Sequence, residues 1–153
     1  MTPIIFLDVD GVLAKLDLEY RYTRLNQECV DALKVLLERT GAEIVLSSSW
    51  RYSHTPEQFT RLLTDYGLTA TVIGSTPMAE VTGSGLLIGC TRGEEIASWL
   101  LTNNASDRPF VILDDFEEFG RFTPRWVQTD HRNGLTLADV EQACALLAHE
   151  AVK

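Results

Sequence analysis

Apolar and polar positions follow two rhythms along this chain. Short runs, Ile4–Leu7 (IIFL), 43–46 (EIVL), 71–74 (TVIG), 110–115 (FVILDD) and 126–130 (WVQTD), read as strands, several of them buried on both faces. Between them apolar residues recur at helical spacing. Val30, Leu33, Leu36 and Leu37 mark a helix from Asn26 to a C-terminal cap at Gly41. Phe59, Leu62, Leu63 and Tyr66 mark a second, opened by Thr55-Pro56-Glu57-Gln58, with a capping Thr, a Pro at the first helical position and a reciprocal Gln, and closed by Gly67. Thr91-Arg92-Gly93-Glu94 opens a third with Ile96, Trp99 and Leu100 inward. Leu137, Val140, Ala143, Cys144 and Leu147 mark a last one begun by Thr136. Strands alternating with helices predict an α/β fold: a doubly wound parallel sheet of about five strands with helices on both faces, in one of the few topologies that right-handed crossovers allow. Two stretches keep neither rhythm. Residues 13–25 read as a loop or flap, and 75–89 as a turn-rich insertion in which a small hairpin would fit but a separate domain would not.

Composition narrows this picture without redirecting it. At 153 residues with 45% apolar content, the chain (1–153) fits one domain with a full core. It shows no signal-peptide pattern and no apolar run of membrane-spanning length, so the expectation is a soluble, cytoplasmic protein without a membrane partner. Cys29, Cys90 and Cys144 are odd in number and widely spaced, which reads as small core residues and not as a disulfide or zinc framework. A formal net charge of −9 argues against broad attraction to nucleic acid, although a bound cation and a few arginines can reverse the field locally.

The chemistry gathers at strand ends. Asp8 and Asp10 follow the first strand in an i, i+2 relation that would set both on one side, and Gly11 permits a tight turn after them. Ser47 and Ser48 follow the second strand, and Asp114 and Asp115 close the fourth. In open parallel sheets the ligand crevice lies outside the carboxyl ends of the strands, so these segments share one edge. The helix that starts near Arg92 begins at that edge too, and its free N–H groups would favour an anion. Converging carboxylates repel one another unless a hard cation lies among them, and Mg²⁺ suits carboxylate oxygens, waters and a substrate phosphate. Asp-x-Asp-Gly taken alone also occurs in calcium loops and turns, Ser47 alone is as well a residue of a serine-rich turn, and an arginine alone is often a solvated charge.

The segment DVDGV (8–12) resembles the first motif of the haloacid dehalogenase-like (HAD) phosphohydrolases. FLDVDGVL, IVLSSSWR, RGEEI and VILDD, with the later TD and GLT, are similar to the HAD domains called Swiss Army Knife RNA repair-like, over nearly the whole chain. The resemblance implies a Rossmann-like phosphatase with a minimal cap or none. It implies that Asp8 attacks phosphorus, Asp10 is general acid and base, Ser47, with Ser48 its nearest rival, donates to the phosphate, and Gly11 lies beside the phosphate. The metal would be held by Asp8, the backbone carbonyl of Asp10 and Asp114, with Asp115 helping directly or through water. The family's third motif is normally a Lys. Here Lys15 falls in the flap, Lys34 lies mid-helix and Lys153 is the last residue, so the cationic role passes to Arg92 first and Arg51 second.

A site with little or no cap implies a bulky phosphate, and the resemblance makes the phosphorylated end of an RNA or DNA a candidate. Against it stands the acidity of the chain, with Arg51, Arg92, Arg121, Arg125 and Arg132 left to build a basic patch; a phosphorylated metabolite such as a nucleotide stays open. Trp50 reads as a packing residue or as a platform for a base, and Asp130 as a turn residue before Asn133-Gly134 or as an orienting group. His54, His131 and His149 share no ligand spacing. A phosphate-receiving signalling domain would need paired acids after the first strand, an acid after TVIG and a Lys after the fifth, a pattern this chain lacks. A catalytically silent HAD domain that only binds is the other alternative, supported by the missing Lys.

Overall fold

The computed structural model describes residues 1–19, 21, 24–77 and 91–151. Five strands, β1 (Ile4–Leu7), β2 (Glu43–Leu46), β3 (Val72–Ser75), β4 (Phe110–Asp114) and β5 (Trp126–Gln128), form one sheet in the order β3-β2-β1-β4-β5. Every pairing is parallel. The chain builds outward from β1 to β2 and β3, then crosses back to lay β4 and β5 on the other side of β1. The order therefore reverses between β1 and β4, where open α/β sheets leave a crevice.

The helices start and stop as their end residues require. In α1 (Gln27–Thr40) Gly41 takes the left-handed conformation and returns its N–H to the Leu37 carbonyl. Both α2 (Pro56–Asp65) and α3 (Arg92–Thr102) open with complete capping boxes, Thr55 with Gln58 and Thr91 with Glu94. Thr136 and Asp139 exchange hydrogen bonds at the start of α4 (Leu137–Ala151). Two 3-10 segments that periodicity did not announce, Ser49–Tyr52 and Gly120–Arg125, follow β2 and precede β5. Each is a single tight connection with too few residues to show a period.

Alternation along the strands divides the core in two. Ile5, Leu7, Ile44, Leu46, Val111 and Leu113 face α1, α2 and α4. Ile4, Phe6, Val45, Phe110 and Ile112 face Ile96, Trp99 and Leu100 of α3, with Phe119 beside them. Phe6 is fully buried and meets Trp99 and Phe110 edge-on, with ring centroids 5.7 and 5.4 Å away. The parity that sends Ile4 and Phe6 toward α3 continues to Asp8, as Val45 continues to Ser47 and Ile112 to Asp114.

Residues 10–14 form tight turns that lead into the expected flap (13–25), of which residues 20, 22 and 23 lie outside the described residues, and this part of the chain is joined to the body. Asn26 N–H donates to the Leu13 carbonyl, Leu135 N–H to that of Val12 and Leu16 N–H to that of His131. Most of the expected 75–89 insertion, and Cys90 and Lys153, lie outside the described residues. Cys29 is buried and Cys144 half-buried, and both are free. Among the described residues no helix is long and apolar enough to cross a membrane.

Phe6→Ala should lower the unfolding free energy by about 3–5 kcal/mol, because the cavity it leaves lies between two rigid aromatic neighbours. Urea unfolding followed by tryptophan fluorescence measures it.

Candidate active site

Register decides which side chains meet at the sheet edge. Leu7 is level with Leu46 on one side and Leu113 on the other, so the next residues, Ser47, Asp8 and Asp114, stand in a row. The ladder runs one step past the strands to fix them: Asp8 N–H donates to the Leu113 carbonyl at 3.0 Å and Ser47 N–H to the Leu7 carbonyl at 2.8 Å. Thr76 and Thr129 extend the row outward through bonds to the Leu46 and Asp114 carbonyls. Asp8 and Asp114 are 3% and 1% exposed, which makes their charges expensive.

Arg92, the first residue of α3, lies against this row. Its Nη1 is 2.6 Å from Asp114 Oδ2, 3.1 Å from Asp8 Oδ1 and 3.1 Å from the Ser47 carbonyl. A cation at a helix N-terminus is opposed by the helix dipole, and the two buried carboxylates offset that cost. Gly93 explains how α3 comes so close. Its N–H donates to the Glu118 carbonyl at 2.9 Å, and a Cβ there would stand 2.7 Å from the Phe119 carbonyl oxygen. The same contact reduces the free N–H groups expected at this helix start. Glu118 takes that of Gly93, and Thr91 takes those of Glu94 and Glu95, so the anion-attracting group here is the Arg92 side chain.

Asp8, Asp114 and Asp115 each offer a carboxylate oxygen within 4.8 Å of the others. Gly11 makes this approach possible. It sits at φ +84°, and a Cβ on it would overlap the Asp115 carboxylate; Thr129 Oγ1 fixes its carbonyl with a 2.8 Å bond. Gly11 therefore lets the Asp115 carboxylate come close to the turn. The donor set is all oxygen, and the four nearby carboxylates, Asp10 included, have one guanidinium among them. That imbalance fits a hard divalent cation.

Asp10 arrives by a different route from the one its spacing predicts. The strand ends at Leu7, and the Val9 carbonyl accepts from the N–H groups of Val12, Leu13 and Ala14, so Asp8 and Asp10 are not two residues of one strand. Asp10 lies in the turn, and Trp50 Nε1–H donates to its Oδ1 at 2.8 Å. The sequence offered Trp50 as packing or as a base platform, and this donation was not foreseen. The residues are 40 apart in the chain, and no local pattern joins them.

The two serines separate clearly. Ser48 Oγ accepts from Trp50 N–H at 3.2 Å and caps the 3-10 segment. Ser47 Oγ is buried and, among the described residues, has no hydrogen-bond partner, a costly state for a hydroxyl unless an acceptor arrives. The two arginines separate as well. Arg51, expected as a second phosphate ligand, is turned into the protein: Nη2 is 2.5 Å from Glu95 Oε2 and Nη1 donates to Thr76 Oγ1 at 2.9 Å. Arg125 is paired with Glu150 at 2.8 Å, so the basic patch available to a polyanion is smaller than the arginine count implies. Asp130 accepts from Arg132 N–H and closes the turn to Gly134, as a turn residue should.

Three of the acids titrate high. Burial lifts the Asp8 carboxyl above the ordinary range, with Arg92 pulling it partly back. Burial, then the neighbouring Asp8 charge, lifts that of Asp114, again against Arg92. Burial also raises Asp10, opposed by the Trp50 bond. For Arg92, burial works against the charge, but Asp8 and Asp114 outweigh it and hold the guanidinium protonated.

A family model described as the HAD domain in Swiss Army Knife RNA repair proteins matches residues 4–140. Among solved structures, a protein described as a HAD superfamily (subfamily III A) hydrolase from Legionella pneumophila is 15% identical, with a TM-score of 0.46 over 100% of this chain and 85% of that one. A hypothetical protein from Xanthomonas campestris is 14% identical, with a TM-score of 0.43 over 98% and 82%. No curated protein matches the chain.

Raised carboxyl pKa values mean that the folded, metal-free chain holds protons the unfolded chain has released. Stability in chelator should therefore fall as pH rises above the ordinary carboxylate range, by at most about 1.4 kcal/mol per pH unit for each such group. Asp114→Asn should flatten the slope, and urea midpoints across pH check both.

Proposed function

This chain belongs to the family of HAD domains found in Swiss Army Knife RNA repair proteins, and from that membership and the geometry of the site we propose that it is a Mg²⁺-dependent phosphohydrolase working through an aspartyl-phosphate. The observation that carries the reading is the row Ser47, Asp8 and Asp114 with Arg92 across it: an acid beside a cation, next to a hydroxyl with no partner among the described residues. Asp8, Asp114, Asp115 and the Asp10 carbonyl would hold the Mg²⁺. When bound, the ion neutralises phosphate charge and polarises the phosphorus toward attack.

The chain's own groups divide the remaining work. Asp8 attacks phosphorus in line, and Asp10 protonates the leaving oxygen as its bond to phosphorus breaks. In the second step Asp10 takes a proton from water as the water oxygen displaces the Asp8 carboxylate, which restores both acids. Ser47 Oγ–H and the Arg92 guanidinium donate to the equatorial oxygens, whose charge must be held in both steps. Arg92 thus stands in for the usual third-motif Lys, with a fork of donors in place of a point charge. Its present contacts with Asp8 and Asp114 keep it aimed at the site.

The substrate we propose is a bulky phosphomonoester, with the phosphorylated end of a nucleic acid foremost. Two features support this. The stretches that could hold a cap, between β1 and α1 and between β3 and α3, are too short for a domain, and the family is described by its presence in RNA repair proteins. A small phosphorylated metabolite such as a nucleotide is the competing substrate, and it is favoured by the acidity of the chain.

Phosphate release from an aryl phosphate, a 3′-phosphorylated oligonucleotide and a mononucleotide, each with and without Mg²⁺, tests the reading. Release should require the metal and vanish in Asp8→Asn, and the oligonucleotide should give the highest kcat/KM. Release by Asp8→Asn at the normal rate would overturn the mechanism, while a preference for the mononucleotide would overturn the substrate. Arg92→Ala should lower kcat/KM by at least about tenfold in a folded protein. Arg51→Ala should act mainly on the fold, at a cost of about 3–5 kcal/mol, because it strands Glu95 in the interior.

A further inference from the structure

Unlike Asp8 and Asp114, Asp10 is not held by the sheet. It follows the last residue of β1 by three positions and lies in a turn, so the ladder that aligns Asp8 and Asp114 does not reach its side chain. Among the described residues its side-chain partner is Trp50, 2.8 Å away. The indole is itself braced. Its ring stacks on His54, with centroids 5.3 Å apart and planes at 27°, and meets Phe59 edge-on at 6.4 Å and 85°. Phe59 is fully buried in α2, and Ser48 Oγ takes the Trp50 backbone N–H, so the chain of contacts runs from the core to one carboxylate oxygen.

An indole N–H only donates. It cannot exchange roles with Asp10, and by donating to Oδ1 it leaves Oδ2 as the oxygen that carries a proton. This matters because the proposed reaction uses the same carboxyl twice. Oδ2–H must reach the leaving oxygen in the first step, and the bare Oδ2 must accept from water in the second. A carboxylate free to rotate on a turn would present either oxygen in many directions and lose much of the gain from fixed geometry.

We propose that Trp50 is the positioning residue of Asp10: its indole N–H holds Oδ1 so that Oδ2 faces the scissile oxygen in both steps. The proposal rests on the phosphohydrolase reading and adds to it a residue that acts through the general acid without touching substrate. It assigns to Trp50 a task that neither packing nor base stacking describes.

The test uses Trp50→Phe, which keeps an aromatic ring between His54 and Phe59 and removes the donor. Two readouts separate positioning from packing. In ¹H–¹⁵N spectra of the metal-free chain, the indole signal identified by its loss in Trp50→Phe should shift in Asp10→Ala while those of Trp99 and Trp126 stay in place. In a series of phosphate esters compared by kcat/KM, which reports the first step, Trp50→Phe should cost roughly tenfold or more for an alkyl phosphate, whose leaving oxygen needs the proton, and little for a dinitrophenyl phosphate; kcat for the latter, set by the second step, should still fall. In an Asp10→Ala background the same substitution should cost no further activity. Equal losses along the series, additive losses with Asp10→Ala, or an unmoved indole signal would each overturn the positioning role. A wild-type chain that releases no phosphate from any ester would instead overturn the phosphohydrolase reading beneath it, a failure distinguishable because the spectra would still report the Trp50–Asp10 bond.

Discussion

Everything near the sheet edge answers to the crowding of carboxylates at the reversal point. Asp8 and Asp114 are neighbours because β1 and β4 pair in register, and they are buried because they continue the parity that packs Phe6 and Ile112 under α3. Asp115 and Asp10 add to the same field, and Arg92 is the guanidinium in direct contact with it. Such a cluster is unfavourable for folding by itself. It persists because the surrounding backbone is fixed by bonds that do not involve the acids: the ladder at Asp8 and Ser47, Thr129 on the Gly11 carbonyl, and Glu118 on the Gly93 N–H. The fold supplies the stability, and the site spends part of it.

Two arginine–carboxylate pairs at this edge have opposite characters. Arg51 and Glu95 are both nearly buried and pair with each other, yet burial still raises the Glu95 carboxyl against the pull of Arg51. Such a pair contributes little net stability, and breaking one partner is what costs. Its effect is positional. It ties the 3-10 segment after β2 to α3 one turn beyond Arg92, which helps fix where Arg92 stands. Arg92 is partly open to solvent and shared among several acceptors, so an entering anion can compete for its donors. A buried guanidinium paired into the interior is a strut, and an open one facing acids is available for chemistry.

The sequence alone determined the elements and most of the residues that meet. Strand runs, helical stripes and capping boxes are written in neighbours three or four positions apart, so Thr55–Gln58, Thr91–Glu94 and the Gly41 cap were legible before any fold was known. The rule that strand ends in a parallel sheet share an edge then gathered Asp8, Asp10, Ser47, Asp114 and Arg92. What only the tertiary structure decided are relations across the chain that no local period encodes. β1 stops at Leu7, so Asp10 depends on Trp50, 40 residues away, and not on strand alternation. Arg51 turns to Glu95, 44 residues away, and leaves Arg92 with the acids. Sequence pattern fixes the direction in which a side chain leaves its own helix or strand. Which partner it finds there depends on how the elements are stacked, and α3 must cross the sheet before that choice is made.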